Sequence, residues 1–323
     1  MLSKLLKVEP LISNTPLMKL DHKDLNLYAK LELHNVTGSI KIRPAFYILK
    51  KAIQEGYVNS DSTIIESSSG NFALALATLC KYLNLKFIAV IDNNINANTE
   101  RLLNLLAFKV VKVTESDHTG GYLLNRLKKV QELQSIIINS FWTNQYGNEN
   151  NYLSHFHGIG KEIADRFEEL HYAFIGVGSG GTIAGTSRKL KEKFPDIKII
   201  AVDSEGSVIF GAPSKKRHIS GLGSSIKPDM LKYALIDEVI HVSEVNTTSG
   251  CKKLLEENFI FGGGSSGTVY FAINEYFKEK KLKERPNVIF ICPDGGWPYI
   301  PTVYNIDWIS QLKKLECSNS VVV

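Results

Sequence analysis

Along this chain the spacing of apolar positions switches repeatedly between two residues and about 3.6, the periods of strands and helices. Asn14-Thr15-Pro16 turns into a short strand ending near Leu20, and Leu27 to Glu32 alternates as a second. Ala45, Ile48, Leu49, Ala52 and Ile53 recur at helical spacing, predicting a helix over Arg43–Glu55 closed by Gly56. Strand and helix then alternate: Thr63–Glu66, Phe72–Leu83, Lys86–Asp92, Thr99–Leu106, Lys109–Val113, Gly121–Leu133 and a strand at Ile136–Asn139. An aromatic, amide-rich loop from Phe141 to Tyr152 is the first plausible crossing between domains.

The second half repeats the rhythm with a helix over Gly158–Leu170, a strand over Tyr172–Val177, a helix over Thr182–Phe194 and a strand over Ile197–Val202. Pro213 to Ser225 is polar, basic and glycine-rich, a loop or lid. A helix follows Pro228, then strand Glu238–Val242, helix Thr247–Glu257, a helix opened by Gly262 to Gly267, and strand Asn287–Ile291. Such alternation predicts an α/β fold with parallel strands.

Composition narrows the function classes. With 323 residues, 44% hydrophobic and 22% charged, the chain can bury a large core. Its net charge of +5 is spread along the sequence, which suits anionic substrates, and no arginine-rich or aromatic-interleaved patch supports nucleic-acid binding. Cys80, Cys251, Cys292 and Cys317 lack metal-ligand spacing and are too sparse for a disulfide framework, so a reducing compartment, the cytoplasm, is expected. Met1 to Pro10 carries no long apolar run, and neither export nor a membrane span is indicated.

Four stretches carry chemistry. Lys41 lies in the turn Asn35 to Pro44, immediately before an amphipathic helix, where helix N–H groups and an apolar wall depress an amine pKa. Gly178-Ser179-Gly180-Gly181-Thr182 follows a strand and opens a helix, forming an anion cradle. Gly176, Gly178 and Gly181 also fit a dinucleotide fingerprint, with Asp203 at the end of the next strand, so a nicotinamide enzyme competes. That reading leaves Lys41 and the loop Ser68 to Asn71 idle. Pyridoxal 5'-phosphate employs all of them: the lysine for its aldehyde, the polar helix start for a substrate carboxylate, the glycines for phosphate. A serine at Gly264-Ser265-Ser266-Gly267 would give the pyridine nitrogen a neutral partner, or would simply cap its helix.

In this order the lysine turn, Glu66 to Asn71, Gly178 to Thr182 and Gly264 to Gly267 resemble the motifs of the cysteine synthase and cystathionine β-synthase family, the fold type II pyridoxal-phosphate enzymes. The likeness runs from about Leu11 to Leu312. It implies two open, mostly parallel sheets flanked by helices, with the active site in the cleft between a larger domain (1–40 with 150–323) and a smaller, mobile one (41–149), in a homodimer. It implies that Lys41 holds the cofactor as a Schiff base and serves as acid and base. Asn71 would bond the ring 3'-hydroxyl, Gly178, Ser179, Gly180, Gly181 and Thr182 the phosphate, and Ser265 the pyridine nitrogen. Ser68, Ser69, Gly70, Asn71 and Gln145 would bind the substrate carboxylate.

Within the family, His118 to Tyr122, Asn144 to Tyr146 with His155 to Gly158, and Asp203 with Gly206 to Gly211 look like the branch that joins O-phospho-L-serine to L-glutamate. Synthases using sulfide or homocysteine remain the alternative. Val36, Thr37, Ile42 and Phe72 depart from the usual pattern, Phe72 standing where plain synthases carry threonine. The run Lys215-Lys216-Arg217-His218 is read as a solvated charged loop, His155 and His157 as loop or packing residues without a metal, and Cys80 and Cys251 as core.

Overall fold

Two separate sheets form from ten strands in the computed structural model, which describes residues 1–118 and 120–319. Thr119, within the His118–Tyr122 stretch, and the side chain of Cys317 lie outside that description. In chain order the strands are β1 (Leu17–Leu20), β2 (Asn26–Leu31), β3 (Thr63–Ser67), β4 (Lys86–Asp92), β5 (Lys109–Val113), β6 (Ser140–Trp142), β7 (Tyr172–Gly176), β8 (Lys198–Ser204), β9 (Glu238–Val242) and β10 (Asn287–Cys292). The larger sheet runs β1-β2-β10-β7-β8-β9 and the smaller β5-β4-β3-β6. Every pairing is parallel except β1 with β2, which a short turn can join. β3, with the sequence Thr-Ile-Ile-Glu-Ser, is buried along its whole length, as a parallel strand covered on both faces must be.

The helices are α1 (Leu2–Leu6), α2 (Ile42–Gln54), α3 (Asn71–Leu83), α4 (Ala97–Leu106), α5 (Leu123–Ile136), α6 (Asn150–His155), α7 (Lys161–Ala164), α8 (Gly181–Lys193), α9 (Glu244–Asn258), α10 (Gly264–Phe277) and α11 (Ile306–Asn319). The α2 stripe of Ala45, Ile48, Leu49 and Ala52 meets Ala73, Leu76 and Leu79 of α3 over the smaller sheet, and Leu5 and Ile12 join that core. Separate clusters lie on the larger sheet. Local chemistry sets several ends: Asn84 closes α3 in the left-handed region, Asn96 caps α4 and Ser243 caps α9.

Three expectations need correction. α5 continues through Ile136, and the strand expected at Ile136–Asn139 begins at Ser140 instead, because Asn139 turns the chain at φ +58° and its carbonyl receives the Thr63 N–H. The helix expected over Gly158–Leu170 is instead the end of a wide turn over Phe156–Gly160 followed by the short α7, which stops at Ala164; the longer helical stretch, α6, precedes the expected range. Gly158 leaves helical geometry there, at φ −97° and ψ −106°, with a position for Cβ only 3.1 Å from Arg43 Nη1. After Pro228 there is a 3-10 turn, Asp229–Tyr233. Cys80 and Cys251 are buried, as expected. Among the described residues no helix is long and apolar enough to cross a membrane.

Candidate active site

Lys41 is fixed from both sides of its turn. Ahead of it, Ile40 N–H donates to the Pro293 carbonyl at 2.7 Å and Ser39 pairs with Asp294, tying the turn to the chain leaving β10. Behind it, Arg43 is buried and donates to both Glu32 oxygens (Nε to Oε2, 2.6 Å; Nη2 to Oε1, 2.9 Å) and both Glu162 oxygens. Lys30 reaches Glu162 at 2.6 Å and the Thr15 carbonyl at 2.6 Å, so two carboxylates and two cations balance. Burial pushes Glu162 up, but Arg43 and Lys30 outweigh it and hold it at about 2. Lys41 Nζ donates to no described residue. Burial lowers its pKa, against the pull of the Asp294 carboxylate, which makes the free amine easier to reach at neutral pH.

The segment Asp294–Gly295 joins this turn to the serine turn. Asp294 accepts the Gly263 N–H at 2.9 Å through its carbonyl, and Gly262 pairs with Gly295. Its side chain accepts from Asn71 Nδ2 at 2.7 Å and from the Tyr299 hydroxyl at 3.0 Å. Burial raises the Asp294 carboxyl to about 6, with Tyr299, Asn71 and Lys41 opposing.

The glycine loop follows β7, the parallel neighbour of β10 in the larger sheet. Gly180 sits at φ +82°, and α8 starts at Gly181. The N–H groups of residues 178–182 donate to no described residue, leaving a row of donors at a helix start. A Cβ at Gly181 would lie 2.1 Å from Asn151 Oδ1, and one at Gly178 3.0 Å from the Gly221 carbonyl, so side chains would fill the loop. Gly221 lies against both Ser265 and Tyr299. Ser265, at the start of α10, is buried, and its hydroxyl has no hydrogen bond to a described residue.

On the smaller sheet, β3 delivers Ser68 to Asn71 at the start of α3. Ser68 Oγ accepts from the N–H groups of Gly70 and Ala73, while those of Ser69, Asn71 and Phe72 have no described partner. Gln145 N–H donates to Glu66 Oε2 at 3.3 Å, its Nε2 to the Ser67 carbonyl at 3.4 Å, and its carbonyl accepts Asn151 Nδ2 at 2.6 Å. Asn151 thereby connects Gln145 to Gly181. Phe72 points into the core, which removes its ring from the loop.

The structure thus brings together Lys41, Asn71, Ser265, the glycine loop, the Ser68–Asn71 loop and Gln145. Sequence reasoning missed Asp294, Arg43 with Glu32, and Arg126. Arg126 Nη1 donates to Ser69 Oγ at 3.0 Å, and its Nε lies 3.2 Å from Asp92. The basic run divides: Lys215 and Lys216 are exposed, but Arg217 donates to the Gly206 carbonyl, and the His218 ring and N–H both engage Glu244. Burial raises the Tyr146 pKa, with the charges of Glu66 and Asp92 adding to the rise and those of Arg126 and Arg217 opposing it. His155 is buried 3.4 Å from Thr182 Oγ1, and His157 stacks on Tyr47. Asp203 is fully buried, with Oδ1 accepting the Ser204 N–H and Oδ2 without a described partner, and this burial keeps it from a ribose. A cavity of about 650 Å³ borders Arg43, Lys30 and Glu162 and contains none of the predicted site residues.

A desolvated lysine beside a row of free N–H groups and an unpartnered serine hydroxyl is the donor set that an aldehyde, a phosphate and a pyridine nitrogen require. The family model described as pyridoxal-phosphate dependent enzyme matches residues 8–294. The chain belongs to this pyridoxal-phosphate dependent family. Among members with assigned roles, it is 38% identical over 315 residues to N-(2-amino-2-carboxyethyl)-L-glutamate synthase of Ralstonia nicotianae, covering 96% of this chain and 93% of that one. The synthase of the same name from Cupriavidus metallidurans is 38% identical over 307 residues, covering 93% and 90%. The crystal structure of O-acetylserine dependent cystathionine β-synthase from Helicobacter pylori superposes with a TM-score of 0.84 at 31% identity, covering 92% of this chain and 97% of that one. The fold is fold type II, and the protein is a pyridoxal-phosphate dependent β-substitution enzyme.

Proposed function

We propose that this enzyme joins O-phospho-L-serine to L-glutamate, yielding N-(2-amino-2-carboxyethyl)-L-glutamate and phosphate. The observation that carries the reading is the full-length likeness to two synthases of that name. Bound pyridoxal phosphate supplies an aldehyde for the substrate amine and an electron-accepting ring that acidifies Cα and lets the β-substituent depart.

Each residue then has a task. Gly178, Ser179, Gly180, Gly181 and Thr182 hold the cofactor phosphate, Asn71 the ring 3'-hydroxyl and Ser265 the pyridine nitrogen. Lys41 anchors the aldehyde in the resting enzyme. Once freed, its amine takes the proton from Cα and later returns it, a role suited to a pKa depressed by burial. Ser68, Ser69, Gly70 and Asn71, with Gln145, receive the substrate carboxylate. Arg126, tied to Ser69, and Arg217, held by the Gly206 carbonyl, receive anionic groups: the phosphate that leaves and the carboxylates of glutamate. The smaller unit, residues 41–149, closes over the substrate. The same reading makes the enzyme a cytoplasmic homodimer whose product is a precursor of 2,3-diaminopropionate for siderophores.

Product analysis tests this. Holoenzyme given O-phospho-L-serine with L-glutamate, sulfide or homocysteine in separate reactions is expected to release phosphate and form the glutamate adduct by mass. Cysteine or cystathionine as the dominant product would replace the proposed acceptor.

A further inference from the structure

An asparagine amide presents a donor on one side and an acceptor on the other, and the side facing a ligand depends on what holds it. At Asn71 that partner is Asp294. An ionised carboxylate accepts only, so Asn71 turns Nδ2 toward it at 2.7 Å, which leaves one N–H of the same nitrogen uncommitted. Asp294 is itself immobile: its backbone pairs with Ser39 and Gly263, and Tyr299 donates to the same carboxylate. The pocket is cut for this group, since a Cβ at Gly263 would lie 2.0 Å from Asp294 Oδ1. Asn71 opens α3 beside the smaller sheet, whereas Asp294 follows β10 of the larger one, so the bond spans the cleft.

We infer that Asp294 is a positioning residue that fixes the Asn71 amide so that its second N–H, rather than its carbonyl, meets the oxygen of the cofactor 3'-hydroxyl. This rests on the proposed contact between Asn71 and that hydroxyl. A donated N–H favours the anionic oxygen, while an amide free to flip would offer a lone pair half of the time. Asp294 therefore tunes both the hold on the cofactor and its colour, acting through Asn71.

The test uses purified holoenzyme, reading the visible absorption maximum, the cofactor Kd by reconstitution, and the far-UV spectrum of each variant. Asn71→Ala is expected to shift the band and weaken cofactor binding about tenfold, the worth of one hydrogen bond to a charged group. Asp294→Ala should move both readouts in the same direction, and the double variant should be no worse than Asn71→Ala alone. Asp294→Leu, branched at the same carbon and lacking an acceptor, should match Asp294→Ala, whereas Asp294→Asn, which keeps an acceptor for Nδ2, should retain the native band. Full additivity of Asp294→Ala with Asn71→Ala would overturn the inference. So would an Asp294→Asn as damaged as the alanine variant, because the carboxylate would then act by charge on Lys41. An Asn71→Ala enzyme with unchanged band and Kd would instead remove the hydroxyl contact itself, a failure visible without any Asp294 variant.

Discussion

Arg43 grips Glu32 with two parallel hydrogen bonds, at 2.6 and 2.9 Å, just two residues beyond Lys41. The pair is buried and shares its charges with Glu162 and Lys30, so its value lies in fixing where the lysine turn enters α2. Removing one charge leaves the rest unbalanced. Glu32→Gln is expected to lower stability by about 3 kcal/mol, read as a drop in the urea midpoint, and to reduce kcat as the turn loosens. An unchanged midpoint would show that Glu162 alone suffices.

Gly181 has room for no side chain. Its Cβ would fall 2.1 Å from Asn151 Oδ1, and Asn151 also holds the Gln145 carbonyl. Gly181→Ala should raise the cofactor Kd by at least roughly tenfold, since loop and carboxylate site shift together. Gly295→Ala, where a Cβ meets nothing nearer than 4.0 Å, should bind cofactor normally. Equal affinities in the two variants would contradict the geometry.

Glu66 makes stability depend on pH in an unusual direction. Burial raises its carboxyl to about 7, against Thr143 Oγ1 and the N–H groups of Ser67 and Gln145, which favour the ionised form. Between about pH 4.5 and 7 the unfolded chain has released a proton that the folded one keeps, so this residue's contribution falls as pH rises through that window and levels off above it. Glu66→Gln retains a carbonyl acceptor and has no proton to lose. Its urea midpoint should decline less than the wild type's between about pH 5 and pH 7.5. Parallel profiles would assign the slope to other groups.

Arg126 should discriminate between leaving groups. Tied to Ser69 at 3.0 Å, it places a cation at the edge of the loop proposed to receive the substrate. Arg126→Ala is expected to raise KM for O-phospho-L-serine roughly tenfold while changing KM for O-acetyl-L-serine far less. Equal effects on both would make Arg126 a support for the loop only.

The sequence made legible what short stretches of chain decide. A lysine before an amphipathic helix, glycines between a strand and a helix, and serines ahead of α3 are each recognisable locally, and contacts through Asp294 and Asn151 link these stretches in the fold. Long-range partners stayed hidden: Asn71 and Asp294 are 223 positions apart, Arg126 and Ser69 57. Asp294 stood in view within Pro293-Asp294-Gly295-Gly296, but an aspartate in a turn looks the same whether solvated or buried against an amide. Boundaries failed where one residue redirects the backbone, as Asn139 does before β6 and Gly158 does where Arg43 approaches. Arg217 and His218 looked solvated because Gly206 and Glu244, which hold them, come from separate parts of the chain.

The central claim is that the amine of Lys41 carries the cofactor. Borohydride reduction of the holoenzyme, followed by peptide mapping, examines that amine directly. The cofactor should be found covalently on the peptide containing residue 41, with Lys41→Ala folded, unlabelled and inactive. Label on another lysine, or full β-replacement activity in Lys41→Ala, would contradict the account.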